Sequence, residues 1–163
     1  MTDEDPFAGF THLDARGRAQ MVDVSAKQPS LRRAVARGRV TMRPEVVAAL
    51  RAGTISKGDV LAVARVAGIQ AAKRTSELIP LCHGLALSSV AVDFEIGDGA
   101  VSVEAAVETV DRTGVEMEAL TACCVAALTI YDMCKSRDRS MTVGEVALWE
   151  KSGGRSGTYR REP

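Results

Sequence analysis

Aromatic side chains are scarce in this chain of 163 residues, which contains three Phe, two Tyr and one Trp. Proteins that recognise single-stranded RNA usually stack its bases on aromatic side chains. An excess of positive charge is also lacking, because 21 Lys and Arg balance 21 Asp and Glu. The composition therefore argues against a nucleic-acid-binding function, whether through base stacking or through bulk charge.

Long hydrophobic runs and a leader are missing too. The longest apolar run is too short and too interrupted to predict a membrane span. The N-terminus, MTDEDPFAG, is acidic and lacks the apolar core of a signal peptide. We therefore expect no membrane contact and a cytoplasmic location.

Cysteine pairs with metal-binding spacing are absent as well. The four cysteines are Cys82, Cys123, Cys124 and Cys134, and no two of them form a CxxC motif. Cys123 and Cys124 are neighbours on a predicted helix and point about 100° apart, so they cannot jointly bind one ion. We interpret the cysteines as small buried residues in a reducing compartment and predict no metal site.

The order of the predicted elements is that of a split βαβ, or ferredoxin-like, fold. From about Gly38 the chain reads strand, helices, strand, strand, helix, strand. We predict an α+β domain in which helices cover one face of a four-stranded antiparallel sheet, preceded by a hairpin at Thr11–Ser25. Residues 1–10 are expected to be disordered, residues 11–154 to form a single catalytic domain, and residues 155–163 to form a flexible tail.

Local signals predict several element boundaries. Apolar residues alternate on both sides of Gly97-Asp98-Gly99, which predicts a β-hairpin with its turn at these residues. Asp59 is a candidate N-cap of the first long helix, which should end before Pro80. Thr113 is the corresponding candidate for the second long helix.

The second long helix contains the most informative stretch, GVEMEALTACCVAALTIYDMCK at residues 114–135. No charged residue lies between Glu118 and Asp132, which is typical of a helix buried on all sides. Asp132 and Lys135 then follow three residues apart and share one face. The simple interpretation is a structural ion pair, with Lys135 at the negative end of the helix dipole. The alternative is a pair of catalytic groups.

Several other polar groups interrupt apolar elements: Lys57, residues 79–84, Glu116–Glu118, and Lys151 with the glycines that follow it. Each has an ordinary explanation, such as a solvated lysine or an acidic first turn that favours the helix dipole. Together they form a set of lysines, a histidine and carboxylates suited to proton transfer on an anionic substrate. The sequence contains no P-loop, no GxGxxG motif and no serine-hydrolase motif.

The spacing of two carboxylates on the second helix predicts how a site could be assembled. Glu118 and Asp132 are separated by about 21 Å along the helix axis. One small site in one subunit cannot easily use both residues. If both are functional, a site built from two subunits is the natural solution, and the small residues on both long helices would allow close packing.

Taken together, these segments resemble the molybdenum cofactor biosynthesis protein C family. The matching segments are THLD, MVDVS, KGDVLAVARVAGIQAAKRTSELIPLCHG, TGVEMEAL, AALTIYDMCK and KSGG, in the same order over about residues 12–154. The chain departs from the family at Gly84, where bulkier residues or proline are usual, at Cys123-Cys124, and in the loop Leu50–Ser56. None of these departures removes a catalytic group.

The resemblance implies a ferredoxin-like subunit in a homohexamer, a trimer of dimers with sites at subunit interfaces. The implied substrate is a cyclised dihydro-GTP made by a radical-SAM partner enzyme, and the implied products are cyclic pyranopterin monophosphate and diphosphate. No tightly bound cofactor is expected. The sequence leaves open whether Mg²⁺ accompanies the triphosphate.

The same resemblance implies roles for particular residues. The family's catalytic positions fall on Asp132, Lys135 and Lys57. Positions that contact the substrate or line the site fall on Leu81, Cys82, His83, Met117, Glu118, Glu116, Arg32, Lys73 and Lys151. The chemistry agrees with these residue types, because rebuilding a purine into a pterin needs several proton transfers. Positive charge, for example on Lys151 and Arg32, would stabilise the leaving diphosphate.

Two other functions are compatible with the same fold class. An RNA-binding domain is disfavoured by the scarcity of aromatic residues. A small-ligand sensor explains lysine and aspartate together at the end of a buried helix less well than catalysis does. A sensor would bind the substrate and release it unchanged, which separates it from an enzyme by experiment.

Overall fold

The computed structural model describes residues 12–14 and 16–162. The predicted disorder of residues 1–10 lies outside the described residues. The helices and strands, in chain order, are β1 (Ser30–Thr41), α1 (Pro44–Arg51), α2 (Val60–Lys73), α3 (Thr75–Leu78), β2 (Ser89–Ile96), β3 (Ala100–Asp111), α4 (Glu116–Cys134), β4 (Thr142–Ser152) and β5 (Tyr159–Arg160).

The strands form one antiparallel sheet in the order β2-β3-β1-β4-β5. The four strands β2-β3-β1-β4 have the order of the predicted ferredoxin-like fold, which is therefore confirmed. The connections from β1 to β2 and from β3 to β4 carry the long helices α2 and α4. Both helices contact the sheet and each other, so the core lies between the helical layer and one sheet face.

The sheet has five strands, one more than the sequence predicted. The fifth, Tyr159–Arg160, lies in the segment expected to be a flexible tail and pairs with Glu150 and Lys151 of β4. The Arg161 amide also donates a hydrogen bond of 2.8 Å to the Trp149 carbonyl. Glycines at positive φ reverse the chain between the two strands. A stretch rich in Gly and Ser can thus be a turn as well as a flexible end.

The hairpin between β2 and β3 is confirmed at its predicted turn. Ile96 pairs with Val101, and the Gly97 amide donates to the Ala100 carbonyl at 2.9 Å. Alternate residues of β3 are buried while the residues between them are partly exposed. The apolar alternation of the sequence therefore sets which face of the hairpin meets the helices.

The two long helices run antiparallel and touch through small residues. A Cβ atom placed on Gly68 of α2 would lie 3.0 Å from the Ala122 carbonyl oxygen and 3.3 Å from the Ala126 Cβ. A side chain at Gly68 would require these neighbouring atoms to move away by a few tenths of an ångström. The small residues that the sequence analysis noted thus pack two helices of one subunit closely together.

By length and composition alone, α4 could cross a membrane, contrary to the expectation that no stretch is long enough. Its contacts provide a different explanation, because about half of the helix is buried inside the protein. Ala119, Ala122, Ala126 and Ile130 are fully buried against the sheet and α2. A core helix of this kind is apolar because it is covered by protein.

Two predicted boundaries differ in the structure. The first long helix ends at Lys73, and Arg74, with φ of −113°, separates it from the short helix α3. The predicted cap Thr113 is wrong, since Val115 precedes α4 and offers no side-chain cap. In the described part of the predicted N-terminal hairpin, which leaves out Thr11 and Ala15, one antiparallel bridge joins Leu13 and Ala19.

Candidate active site

Three charged side chains from two segments meet at the C-terminal end of α4. Lys57 Nζ lies 2.8 Å from Asp132 Oδ2 and also donates to the Asp132 carbonyl oxygen at 3.0 Å. Lys135 Nζ lies 2.7 Å from Asp132 Oδ1. The carboxylate is therefore held between two ammonium groups, one on each oxygen. We call these residues the Lys-Asp-Lys cluster.

The loop before α2 places Lys57 in this cluster. Ile55 is buried in the core, and the Gly58 amide donates to the Ile55 carbonyl at 3.1 Å. Gly58 has a φ of +96°, which favours glycine over any residue with a side chain. Asp59 then caps α2 as predicted, by accepting a hydrogen bond of 3.0 Å from the Ala62 amide. These contacts hold the loop on both sides of Lys57.

The two lysines keep Asp132 ionised to a lower pH than an ordinary aspartate. Hydrogen bonds from Lys135 and then Lys57 lower the pKa of the Asp132 carboxyl to about 2. All three side chains are about half exposed, so their ion pairs contribute little to stability. The cluster instead fixes an ionised carboxylate and two ammonium groups at the surface, where a bound molecule could reach them.

The opposite end of α4 borders two adjoining clefts. The larger, of about 760 Å³, is lined by five basic residues and one carboxylate: Lys27, Arg32, Arg112, Lys151, Arg155 and Glu116. The smaller, of about 310 Å³, contains most of the predicted substrate-contact residues: Leu81, Cys82, His83, Glu116, Met117 and Glu118. Lys27, Thr113, Gly114 and Glu116 line both clefts. The clefts therefore form one continuous region with a basic part and a less polar part.

Glu118 is the buried carboxylate of the smaller cleft, with 4% of the residue exposed. Burial is the main cause that raises its pKa above the ordinary glutamate value, and the negative charge of Glu116 adds to it. Burial, and then the charge of Glu118, likewise raise the pKa of the Cys82 thiol. Within residues 12–14 and 16–162, no cationic side chain lies within salt-bridge distance of Glu118. This carboxyl can therefore keep a proton at a higher pH than Asp132 can.

The N-terminal segment covers part of the smaller cleft. His83 Nε2 lies 2.8 Å from the Val22 carbonyl oxygen, and Val22, Val24 and His12 line the same cleft. A carbonyl oxygen only accepts hydrogen bonds, so His83 Nε2 carries the proton in this contact. The segment MVDVS thus orients the histidine through its backbone.

The turn between β4 and β5 lines one side of the larger cleft. Lys151 lies 3.9 Å from a Glu116 oxygen and donates a hydrogen bond to the Ser156 hydroxyl. Arg32 donates to the Asp111 carbonyl at 3.3 Å and lies against Gly154, where a Cβ atom would collide with its guanidinium. The glycines after Lys151 therefore allow the backbone to approach an arginine closely.

The structure divides the predicted site residues between the two ends of α4. Asp132, Lys135 and Lys57 meet at one end, and eight of the remaining nine line the clefts at the other. The exception is Lys73, which is exposed at the end of α2 and lines neither cleft.

Sequence reasoning missed three basic residues of the larger cleft, Lys27, Arg112 and Arg155. Each directly adjoins or closely follows a segment used for the resemblance, which was the available signal: MVDVS, TGVEMEAL and KSGG. In the described part of the chain, no group of three or more His, Cys, Asp or Glu residues is arranged to hold a metal ion.

Comparison with known proteins decides the family. A sequence model of the MoaC family matches residues 21–154. The chain belongs to the MoaC family. A relative from Thermomicrobium roseum named cyclic pyranopterin monophosphate synthase is 63% identical over 157 residues, 95% of this chain and 95% of the relative.

Other members of the MoaC family are similarly close. A protein of the same name from Pelobacter propionicus is 59% identical over 155 residues, 94% of this chain and 97% of the relative. Cyclic pyranopterin monophosphate synthase 3 from Mycobacterium tuberculosis is 60% identical over 153 residues, 93% of this chain and 86% of the relative. The similarity therefore includes both ends of α4.

Proposed function

We propose that this chain is a cyclic pyranopterin monophosphate synthase of molybdenum cofactor biosynthesis. Its substrate is (8S)-3',8-cyclo-7,8-dihydroguanosine 5'-triphosphate, and it releases diphosphate as it closes the cyclic phosphate. Family membership and the names of close relatives support the pathway and the enzyme. We also expect the enzyme to work in the cytoplasm.

The observation that carries the mechanism is the Lys-Asp-Lys cluster. A carboxylate held by two ammonium groups positions two proton donors a few ångströms apart. Asp132 is ionised across the physiological range, so it accepts hydrogen bonds from Lys57 and Lys135 and orients both side chains. As the substrate rings open and close, the lysines give and take protons as general acid and base.

The basic cleft supplies the charge that phosphate chemistry requires. Five cationic residues line it, including Arg32 and Lys151, which the sequence had suggested for this role. Arginine binds phosphate oxygens in a fork, and lysine binds them as a point charge. We assign the triphosphate to this cleft, where the same residues stabilise the diphosphate as it leaves.

A complete site requires both ends of α4, and these are separated within one chain. Glu118 and Asp132 lie in one uninterrupted helix, so the distance between them along its axis is about 21 Å. We therefore propose that the Lys-Asp-Lys cluster of one subunit faces the clefts of another. A homohexamer arranged as a trimer of dimers, with interface sites, satisfies this requirement.

Turnover of the cyclised dihydro-GTP by purified protein tests the proposal directly. We expect the pterin product and diphosphate to appear in equal amounts, at a rate proportional to enzyme concentration. A sensor would instead return the substrate unchanged after binding it. Binding without any product, by protein that is folded and oligomeric, would rule out the proposed function.

A further inference from the structure

Two loops must hold their positions for the Lys-Asp-Lys cluster to exist. Lys57 lies in the α1–α2 loop, while Asp132 and Lys135 are at the end of α4. The α4–β4 loop, residues 136–141, begins directly after Lys135. Contacts between these two loops therefore join the segment that carries Lys57 to the segment that follows Asp132 and Lys135.

Arg137 makes a direct contact between the loops. Its Nη2 donates a hydrogen bond of 2.9 Å to the carbonyl oxygen of Thr54, three residues before Lys57. The Thr54 amide is itself fixed, since it donates to the Ala49 carbonyl at the end of α1 at 3.0 Å. Arg137 thus joins the segment carrying Lys57 to the segment carrying Lys135.

A buried carboxylate holds the base of Arg137 in place. Asp138 is 2% exposed and accepts hydrogen bonds from the Ser140 amide and hydroxyl at 2.8 and 2.6 Å. It also accepts from the Arg43 amide at 3.1 Å, just before α1. The backbone next to Arg137 is therefore anchored. Because of this anchor, the hydrogen bond from the Arg137 guanidinium restrains the Thr54 carbonyl.

We propose that Arg137 is a positioning residue for Lys57 in the reaction. The inference rests on the proposed function, in which Lys57 transfers protons. Arg137 acts through the α1–α2 loop and has no role as a proton donor. Removing it lets the loop move, and a displacement of about 1 Å at a reacting group can lower the rate by up to a hundredfold.

Steady-state kinetics separates positioning from substrate binding. We expect Arg137→Ala to lower kcat by about tenfold with KM nearly unchanged, and Arg137→Gln, which keeps one amide donor, to restore part of the loss. Arg139→Ala is the matched control, because Arg139 has the same charge in the same loop. A raised KM in both Arg137 variants, with normal kcat, would mean that Arg137 binds the anionic substrate and would overturn the inference.

A double-mutant cycle tests whether Arg137 acts through Lys57. In single-turnover experiments with enzyme in excess, Arg137→Ala should change the rate of a Lys57→Ala enzyme by less than about twofold. The same tenfold loss in both backgrounds would show that Arg137 acts independently of Lys57 and would overturn the proposal.

The rate at which the Lys57 amine reacts with a chemical probe reports whether the lysine is held in place, and it requires no turnover. Brief treatment with an amine-acetylating reagent, followed by peptide mass spectrometry, compares the modification rates of Lys57 and Lys135. Arg137→Ala should raise the Lys57 rate severalfold, leave the Lys135 rate unchanged, and leave Tm unchanged; Arg139→Ala should change none of them. An unchanged Lys57 rate in Arg137→Ala would overturn the inference, whatever the kinetics.

Failure of the proposed function has a different signature. Normal turnover by Lys57→Ala would overturn the role of Lys57 and, with it, the catalytic part of the inference. The acetylation rates would still report whether Arg137 restrains the loop, so the two failures can be distinguished.

Discussion

The two ends of α4 carry carboxylates in opposite environments. At the C-terminal end, Asp132 is half-exposed and is contacted by two lysines, which lower its pKa to about 2. At the N-terminal end, Glu118 is buried, and its pKa is raised by burial and by Glu116. The same chemical group is thus held ionised at one end and is able to carry a proton at the other.

This difference shows how one helix can provide two kinds of acid–base group. Environments that move the pKa values of two titratable groups apart allow one to stay charged while the other exchanges a proton. The distance of about 21 Å between the two groups along one helix is the reason for our proposal that a site combines them from two subunits.

The largest effect is expected at the charged end, from Asp132→Asn. Both lysines lose their ionic partner, so product formation should fall by at least about a hundredfold, as expected for loss of acid–base machinery. Pterin product and the circular dichroism spectrum should be measured side by side, with Asp98→Asn, at an exposed turn, as the control. Near-normal turnover by Asp132→Asn would refute the assignment.

Replacing either lysine of the Lys-Asp-Lys cluster should lower activity nearly as much as Asp132→Asn does. Lys57→Ala and Lys135→Ala are expected to lower kcat by about a hundredfold, because each removes a proton-transfer group. Each change also removes a cause of the low Asp132 pKa, so that pKa should rise, more for Lys135→Ala because Lys135 is the larger cause. The acid limb of any residual pH–rate profile should move upward in the same order. Normal kcat with raised KM would make the lysines phosphate anchors only.

Mixing two inactive variants tests whether the ends of α4 work in trans. After subunit exchange, Glu118→Ala and Asp132→Asn should recover about one quarter of wild-type activity, as random pairing in a two-fold symmetric dimer requires. Light scattering should show an oligomer, and subunit exchange should be verified by mass spectrometry. No recovery despite verified exchange, or full activity of a monomer, would place the whole site in one subunit.

The smallest effect is expected on stability at the buried end, from Glu118→Gln. The folded-state pKa of Glu118 is raised, so its stabilising contribution is present below the ordinary glutamate pKa and is lost as pH rises through the raised value. Glu118→Gln should therefore have a higher Tm than wild type at pH 8 and a similar Tm at pH 4. Thermal melts at both pH values measure this, and a lower Tm at pH 8 would contradict the assigned burial effect.

The elements predicted well from the sequence are those with strong local signals. Alternation around Gly97-Asp98-Gly99 identified the β2–β3 hairpin, and Asp59 caps α2 through its own side chain. Thr113 looked equally suitable as a cap, but α4 begins at Glu116, directly after Val115. The Val115 side chain, directly before the helix, is buried in the core, and no local pattern reports tertiary burial.

In the candidate site, too, the contacts within one helix could be predicted from the sequence and those between distant segments could not. The contact between Asp132 and Lys135 follows from helix geometry, because the residues are three apart. The contact of Lys57 with Asp132 joins segments 75 residues apart, and only the fold or a resemblance to a family can reveal it. Arg137 and Asp138 act through backbone groups of distant segments, so their residue types gave no signal.

The close packing at Gly68 has a consequence for how this enzyme can change by mutation. The spacing of α2 and α4 sets where the start of α2, and so Lys57, stands relative to Asp132. Bulkier residues at Gly68 would push the helices apart and lower the free energy of unfolding by about 1–3 kcal/mol. The protein would still fold after a loss of this size. A selection for growth that depends on the molybdenum cofactor should therefore reject substitutions at the α2–α4 contact that a selection for soluble protein would accept.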